Sequence, residues 1–463
     1  MLKPLALLIS LAALGGCSLA PAYQAPPVAL PAHYSAGPWQ PAQPADGLPS
    51  QWWQGFADPQ LDGLEQRLLA ANPTLAAAVA HNDAAQAYAA GLHGSLWPQL
   101  GAAGSAVRQR QSDRKPLRGT AQPDEYNTDT VGLNLSFDLD LWGRLRNQVA
   151  AGDAQANASA DDLAAARLAL QAQLAQLYWN AQGLARQGQV VAQALAAYRQ
   201  ALKLTQQRYQ GLIASQLDVA RAQTQLADAQ AQAADLTRQQ ALARNAIAEL
   251  VGAPASGFSL GPASASALPQ LPASLPSRLL QRRPDIAAAE RRVYAANAGI
   301  GVARAAFYPD FSLGGLAGGQ TAGSGNLLAA GNRIWALGPQ FTLPLFDGGA
   351  RNAAERAARA EFSAASAQYR GQVLKAVREV EDALANLRGW QQQAEDERHA
   401  AAAGQQALAL ANSSYAVGTA SGLDVVTAQT AALQAQRQLE AARSQGLQAS
   451  VQLMAALGGG WRQ

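Results

Sequence analysis

An internal duplication constrains this chain more than any other feature. Tyr209 to Thr224 (YQGLIASQLDVARAQT) aligns without gaps on Tyr415 to Thr430 (YAVGTASGLDVVTAQT), with nine of sixteen positions identical. Asn72-Pro73-Thr74-Leu75 matches Arg283-Pro284-Asp285-Ile286, and the same offset brings Trp97-Pro98-Gln99-Leu100 onto Tyr308-Pro309-Asp310-Phe311. Phe137 to Trp142 corresponds to Phe341 to Phe346. A repeat this long points to duplicated architecture and not to a short solenoid unit. A Pro- and Ser-rich stretch from Pro254 to Pro276 separates the copies.

Each half reads as helix, two strands, then long helices. From Val131 to Leu141 apolar residues alternate with small or polar ones, the period of a strand with two unlike faces. Trp335, Leu337, Phe341, Leu343 and Leu345 repeat that alternation, and Leu343-Pro344 marks where the strand gives way. Partner strands are expected from about Leu100 and about Phe311. The proline-free stretches 124–253 and 345–463 are rich in good helix formers. Leu163, Leu170, Leu177, Leu184, Val191 and Tyr198 fall on a heptad. So do Leu174, Ala181, Gly188, Leu195, Leu202 and Tyr209, a line that recurs as Val380, Leu387, Ala394, Ala401, Leu408 and Tyr415. A sustained seven-residue period means helices packed side by side, and a helix of about 65 residues is roughly 100 Å long.

The start of the chain carries an export signal. Lys3 is followed by the apolar run Leu5 to Leu14, too short to span a bilayer, and then by Leu14-Gly15-Gly16-Cys17. Small residues ahead of a cysteine resemble the bacterial lipoprotein box, which implies cleavage before Cys17 and lipid on that residue. Ser18 at the next position favours the outer membrane. The expected organisation is a signal peptide over 1–16, a lipidated tether over 17–50, a first repeat over 51–253, a linker over 254–274 and a second repeat over 275–463. No later stretch offers 18 uninterrupted apolar residues, so any membrane insertion has to use strands. Four strands cannot close a barrel and an open edge cannot lie in lipid, so the chain shares its barrel with copies of itself. Composition leaves dimer, trimer and tetramer open.

Composition removes other classes. The net charge is +3, with no dense basic run interleaved with aromatics, so nucleic acid is not an expected partner. One cysteine rules out an intrachain disulfide and a four-thiol zinc site. His33, His81, His93 and His399 lack metal-ligand spacing, so neither metal nor soluble cofactor is expected, only the covalent lipid. Gly299-Ile300-Gly301 faintly resembles a dinucleotide fingerprint but sits inside an apparent helix with no strand before it. No nucleophile, base and orienting acid stand together, so no enzyme is expected. The remaining rival is a periplasmic spacer lipoprotein without a pore, which would not need paired alternating strands.

The chain resembles the TolC-like outer-membrane efflux factors, in the NodT-type lipoprotein subfamily. The matching stretches are Trp52-Trp53 with Phe56 and Asp58-Pro59, Arg282-Arg283-Pro284-Asp285 with Glu290-Arg291-Arg292, Pro344 to Gly349, and Leu457-Gly458-Gly459-Gly460-Trp461. The resemblance implies a mostly α fold with a small β-barrel portion. Each of three chains contributes four strands to a shared transmembrane barrel, continued by long helices as a periplasmic tube. It also implies a periplasmic adaptor protein and an inner-membrane efflux transporter as partners, outer-membrane lipid around the barrel, and a passive, gated duct for small molecules.

By the same resemblance Gly211 to Asp218 and Gly418 to Asp424 are the tips of the tube, where adaptor docking and gating occur. Leu217 and Leu423 would pack at a constriction, and Asp218 and Asp424 would either form acidic rings or only favour the start of a helix. Some relatives have Asp and Arg where this chain has Thr427 and Thr430, so the gate would rest on Leu423, Asp424 and Arg221. Gly211 stands one residue earlier than the usual turn glycine. Asp138 and Asp140, on the polar strand face, are expected to line the lumen. Arg108, Arg110, Arg114, Lys115 and Arg118 are expected in a solvated external loop.

Overall fold

The computed structural model describes residues 18–28, 51–112, 123–262, 283–323 and 325–459. Cys17, His33, Arg114, Lys115, Arg118, Arg282, Gly460 and Trp461 lie outside the described residues, as do most of the expected tether and linker.

The first half runs α1 (Pro59–Ala71), α2 (Pro73–Gly94), β1 (Gln99–Arg110), β2 (Glu125–Asp138), α3 (Arg144–Gln210) and α4 (Gln216–Leu250). The second runs α5 (Pro284–Ala305), β3 (Asp310–Ala322), β4 (Arg333–Thr342), α6 (Ala350–Ala416) and α7 (Gly422–Ala456). Corresponding helices have equal lengths: 22 residues for α2 and α5, 67 for α3 and α6, 35 for α4 and α7. Their boundaries follow from local chemistry. Pro73 and Pro284 occupy first helical positions, where a missing N–H costs nothing. Asp58 caps α1, accepting from the amides of Gln60 at 2.9 Å and Leu61 at 3.1 Å. Asp347 accepts from the amides of Gly349 and Arg351 at the start of α6.

The chain divides into two compact units. One holds residues up to Pro27, His81–Ala160 and Ala288–Arg370, and contains the sheet. Its strands pair antiparallel in the order β1-β2-β3-β4. The register places Leu100, Leu135, Gly315 and Leu337 in one cross-strand row, and Ala102, Leu133, Ala317 and Trp335 in the next. That face is apolar yet open, with Trp335 80% and Phe341 72% exposed. Asn134, Ser136, Asp138, Ser312 and Gln340 belong to the opposite, polar face. Gly132 and Gly318 lie directly opposite each other, and a Cβ on Gly318 would sit 2.1 Å from the Val131 carbonyl oxygen. The weak patterning of β3 is thus the mark of two backbones in close approach.

Two expectations need correction here. The alternating segment does not stay in the sheet to Leu141: β2 ends at Asp138 and begins at Glu125. Asp140 turns instead to the start of α3, where it accepts from the amides of Leu145 at 3.0 Å and Arg146 at 2.9 Å. Arg108 and Arg110 are not in a loop but at the end of β1, and Arg108 pairs with Glu125 on β2 at 3.1 Å.

The other unit holds Val28–Ala80, Asp161–Ala287 and Gly371 onward. Its core gathers Trp52, Trp53 and Phe56, Leu61 and Leu68 of α1, Tyr178 and Trp179 of α3, Ile247 of α4, and Val451 and Met454 of α7. The family-like Trp-Trp-Phe and Asp-Pro residues are therefore a packing plug. Phe56 lies 5.3 Å from the Trp179 ring, and the Tyr178 hydroxyl donates to Asp58 at 2.8 Å. Farther along the helices the heptad positions turn inward: Leu184, Val191, Tyr198, Val380, Leu387 and Ala401 are buried.

Candidate functional site: the paired helix hairpins

Both hairpins close by the same chemistry. In the first, the amides of Ile213 and Ala214 donate to the Arg208 carbonyl at 2.8 and 3.2 Å. In the second, those of Thr419 and Ala420 donate to the Ser414 carbonyl at 2.9 and 3.3 Å. Such reversed bonds need a left-handed residue after the helix. Gly418 takes that conformation at φ 84°. Its counterpart is not Gly211, which has an ordinary backbone, but Leu212 at φ 58°, 93% exposed. The early glycine leaves the strained position to a leucine.

The returning helices begin with capping boxes, a feature beyond those named from the sequence. Ser215-Gln216-Leu217-Asp218 and Ser421-Gly422-Leu423-Asp424 fit the serine-x-x-acid pattern. Each serine hydroxyl accepts from the aspartate amide, at 3.2 and 3.3 Å. Each aspartate carboxylate accepts in return from the serine amide, at 3.1 and 2.8 Å, and from its hydroxyl at 2.7 Å. These bonds, from the serine hydroxyl first, hold both carboxyls below their usual range, with Arg221 adding to the effect on Asp218 at 3.9 Å. Leu217, Asp218, Leu423 and Asp424 are thus in first helical turns and not in the connections, and both aspartates are ionised at neutral pH.

The two hairpins meet side by side. A Cβ on Gly422 would stand 3.3 Å from the Asp218 carboxylate. Arg208 lies over the Tyr415 ring at 4.3 Å and donates to that residue's carbonyl at 3.4 Å. Gln225 reaches the Val426 carbonyl at 3.3 Å, and the Tyr198 hydroxyl donates to the Gln429 carbonyl at 3.0 Å. A groove of about 420 Å³ remains, lined by Leu217, Arg221, Gln225, Leu423, Val426 and Thr430 among others. Leu217 and Leu423 are 56% and 45% exposed in the single chain. Thr427 turns its hydroxyl back to the Leu423 carbonyl at 2.8 Å, so it offers this level no charge.

At the strand ends, Asp138 and Asp140 are each matched by an arginine. Arg144 lies 3.3 Å from Asp138 and Arg146 lies 3.2 Å from Asp140. The expected acidic patch is therefore largely offset. Glycines 299 and 301 are inside α5, as the sequence suggested, and no helix among the described residues is long and apolar enough to cross a membrane.

A duplicated chain with a two-faced sheet and paired, capped coiled-coil hairpins defines a class: the protomer of an export channel. The comparisons agree. A family model described as "Outer membrane efflux protein" matches residues 64–253 and 275–459. The antibiotic efflux pump outer membrane protein ArpC of Pseudomonas putida is 33% identical, over 99% of this chain and 95% of its own. Outer membrane protein OprJ of Pseudomonas aeruginosa is 34% identical, over 98% and 95%. The solved structure of the outer membrane protein VceC from Vibrio cholerae superposes with a TM-score of 0.84 at 31% identity, covering 90% of this chain and all of that one. The chain belongs to the outer membrane efflux protein family, a family of export ducts and not of enzymes. Its place is the outer membrane.

Proposed function

We propose that this chain is the passive, gated duct of a tripartite pump and that its hairpin tips form the gate. Lipid on Cys17 would anchor it; a periplasmic adaptor protein would meet the tips, and an inner-membrane transporter would supply the energy. The cargo class is small organic compounds, in keeping with relatives named for antibiotic and toluene efflux. The observation that carries the gate is the placement of two Leu-Asp pairs at adjacent helix starts, leucines exposed and carboxylates ionised. Repeated around an axis, the leucines form an apolar constriction and the carboxylates select cations. Arg221 offsets the first pair. Asp138, on the polar face of β2, lines the lumen with Arg144 beside it, while Asp140 serves the start of α3.

Planar-bilayer recording tests this. The wild-type channel conducts and favours cations; a spacer would show no conductance, which would overturn the duct. Leu423→Ala raises conductance by removing apolar bulk. Asp424→Asn lowers cation selectivity without disturbing assembly, because asparagine keeps an oxygen for the Ser421 amide. Unchanged reversal potential and unchanged conductance in these variants would leave both residues as scaffold.

A further inference from the structure

The segment that follows the lipidation motif is not a free leash. Ser18 to Pro27 runs extended along α5 in the opposite direction, meeting it at successive turns. The Leu19 carbonyl accepts from Arg304 at 3.2 Å, and the Pro21 carbonyl accepts from Asn297 at 2.8 Å. Tyr23 stands edge-on to the Tyr294 ring at 5.1 Å, and Pro26 is buried. Between these points Ala20 enters a notch that exists because residue 301 is glycine. A Cβ there would lie 2.8 Å from Ala20 and 2.6 Å from the Asn147 side-chain amide, whereas a Cβ on Gly299 meets nothing within 4 Å. The forward end closes on the strand–helix junctions: the Ser18 hydroxyl donates to Asn147 at 3.0 Å, in the first turn of α3, and Arg304 also pairs with Glu355 of α6 at 3.2 Å.

We infer that this strap has a positioning function: it fixes the lipid-bearing end of the chain at the foot of the β-sheet, so that membrane anchoring and strand insertion occur at one level. The role rests on the lipoprotein reading of Cys17. A flexible link from residue 17 to residue 50 would let the sheet wander on the order of 30 Å from its lipid. The docked strap leaves one peptide step, about 3.8 Å, between Cys17 and a residue bonded to α3. Gly301 supplies the seat, Asn297 and Arg304 hold the backbone, and Asn147 accepts from the Ser18 hydroxyl. Burial, and then the charge of Glu290, pushes the Tyr23 hydroxyl up to about 12, so it stays neutral in its seat.

The test compares Gly301→Val with Gly299→Val in the full-length protein in membranes. Chymotrypsin cutting after Tyr23 reports strap release, read by mass as a new terminus at Gln24 and independently as loss of palmitate label. Release of the strap in Gly301→Val, with at least a severalfold fall in assembled outer-membrane protein and normal Gly299→Val, supports the proposal. Asn297→Ala, a milder change that removes one hydrogen bond, should raise cutting about fivefold. A strap still protected in both Gly301→Val and Asn297→Ala overturns it, as does release without any loss of assembly. Wild-type protein without label would remove the lipid reading and this role with it, while the Gln24 terminus would still report whether the strap docks.

Discussion

Glu65 is a buried carboxyl that no local motif marks. On α1 it follows Leu61 and Leu64 and precedes Leu68, all buried, so helical spacing places a carboxyl in the middle of an apolar stripe. It is 0% exposed, and neither oxygen has a hydrogen-bond partner among the described residues. Burial, and then the nearby charge of Asp62, pushes it up from 4.5 to about 9, so the group is protonated at neutral pH. Folding therefore takes up a proton between those values. The contribution is full below the unfolded value and is lost as pH rises toward about 9. Glu65→Gln keeps the shape and cannot ionise. Its denaturation midpoint should exceed that of the wild type by a margin that widens from pH 5 to about 9; a margin independent of pH would show that Glu65 is ionised in the fold. The stripe was readable in the sequence, but the missing partner was not, because it depends on which side chains of the packed core surround the carboxyl.

At the scale of elements, the repeat made the helices and hairpins plain, since periodicity and duplication are both written along the chain. The turn geometry was less plain. Gly211 stands one residue before the usual turn glycine, and the left-handed position falls on Leu212. The serine caps stand three residues before the aspartates, and only the reciprocal bonds in the fold tie the two together. The strain makes an asymmetric prediction. A left-handed leucine costs roughly 1–2 kcal/mol, partly offset in a glycine variant by the entropy of the open chain. Gly418→Leu should speed hydrogen exchange of the Thr419 and Ala420 amides about tenfold, since these bonds depend on that turn. Leu212→Gly should slow exchange at Ile213 and Ala214 by a few-fold, because only the difference of two opposed terms remains. Equal exchange in both variants and the wild type would mean the turns carry no such strain.

For the whole molecule the decisive fact is a sheet with two open edges. Alternation in the sequence announced the two faces of β2 and β4, and the register confirms them; the glycine-rich β3 showed little, because its close approach to the β2 backbone at Gly318 leaves no side-chain pattern, while β1 is rich in Gly and Ala on both faces. The number of copies was never in the composition. Within the described residues the sheet has four antiparallel strands, with β1 and β4 at its edges. An even number lets β4 of one copy pair antiparallel with β1 of the next, so the same joint can repeat around a ring. Each edge presents about five unpaired N–H groups and as many carbonyls; at several kcal/mol apiece in hydrocarbon, a lone inserted chain would be unstable by tens of kcal/mol. Three copies supply twelve strands, the closure that the family resemblance implies. Mass measurement of the detergent-extracted complex, corrected for bound detergent and lipid, should therefore give three chains, with no inserted monomer at any dilution that preserves conductance. Two or four chains would keep the edge argument and discard the trimer. A conducting single chain would discard the edge argument itself, since four strands would then have closed without a neighbour.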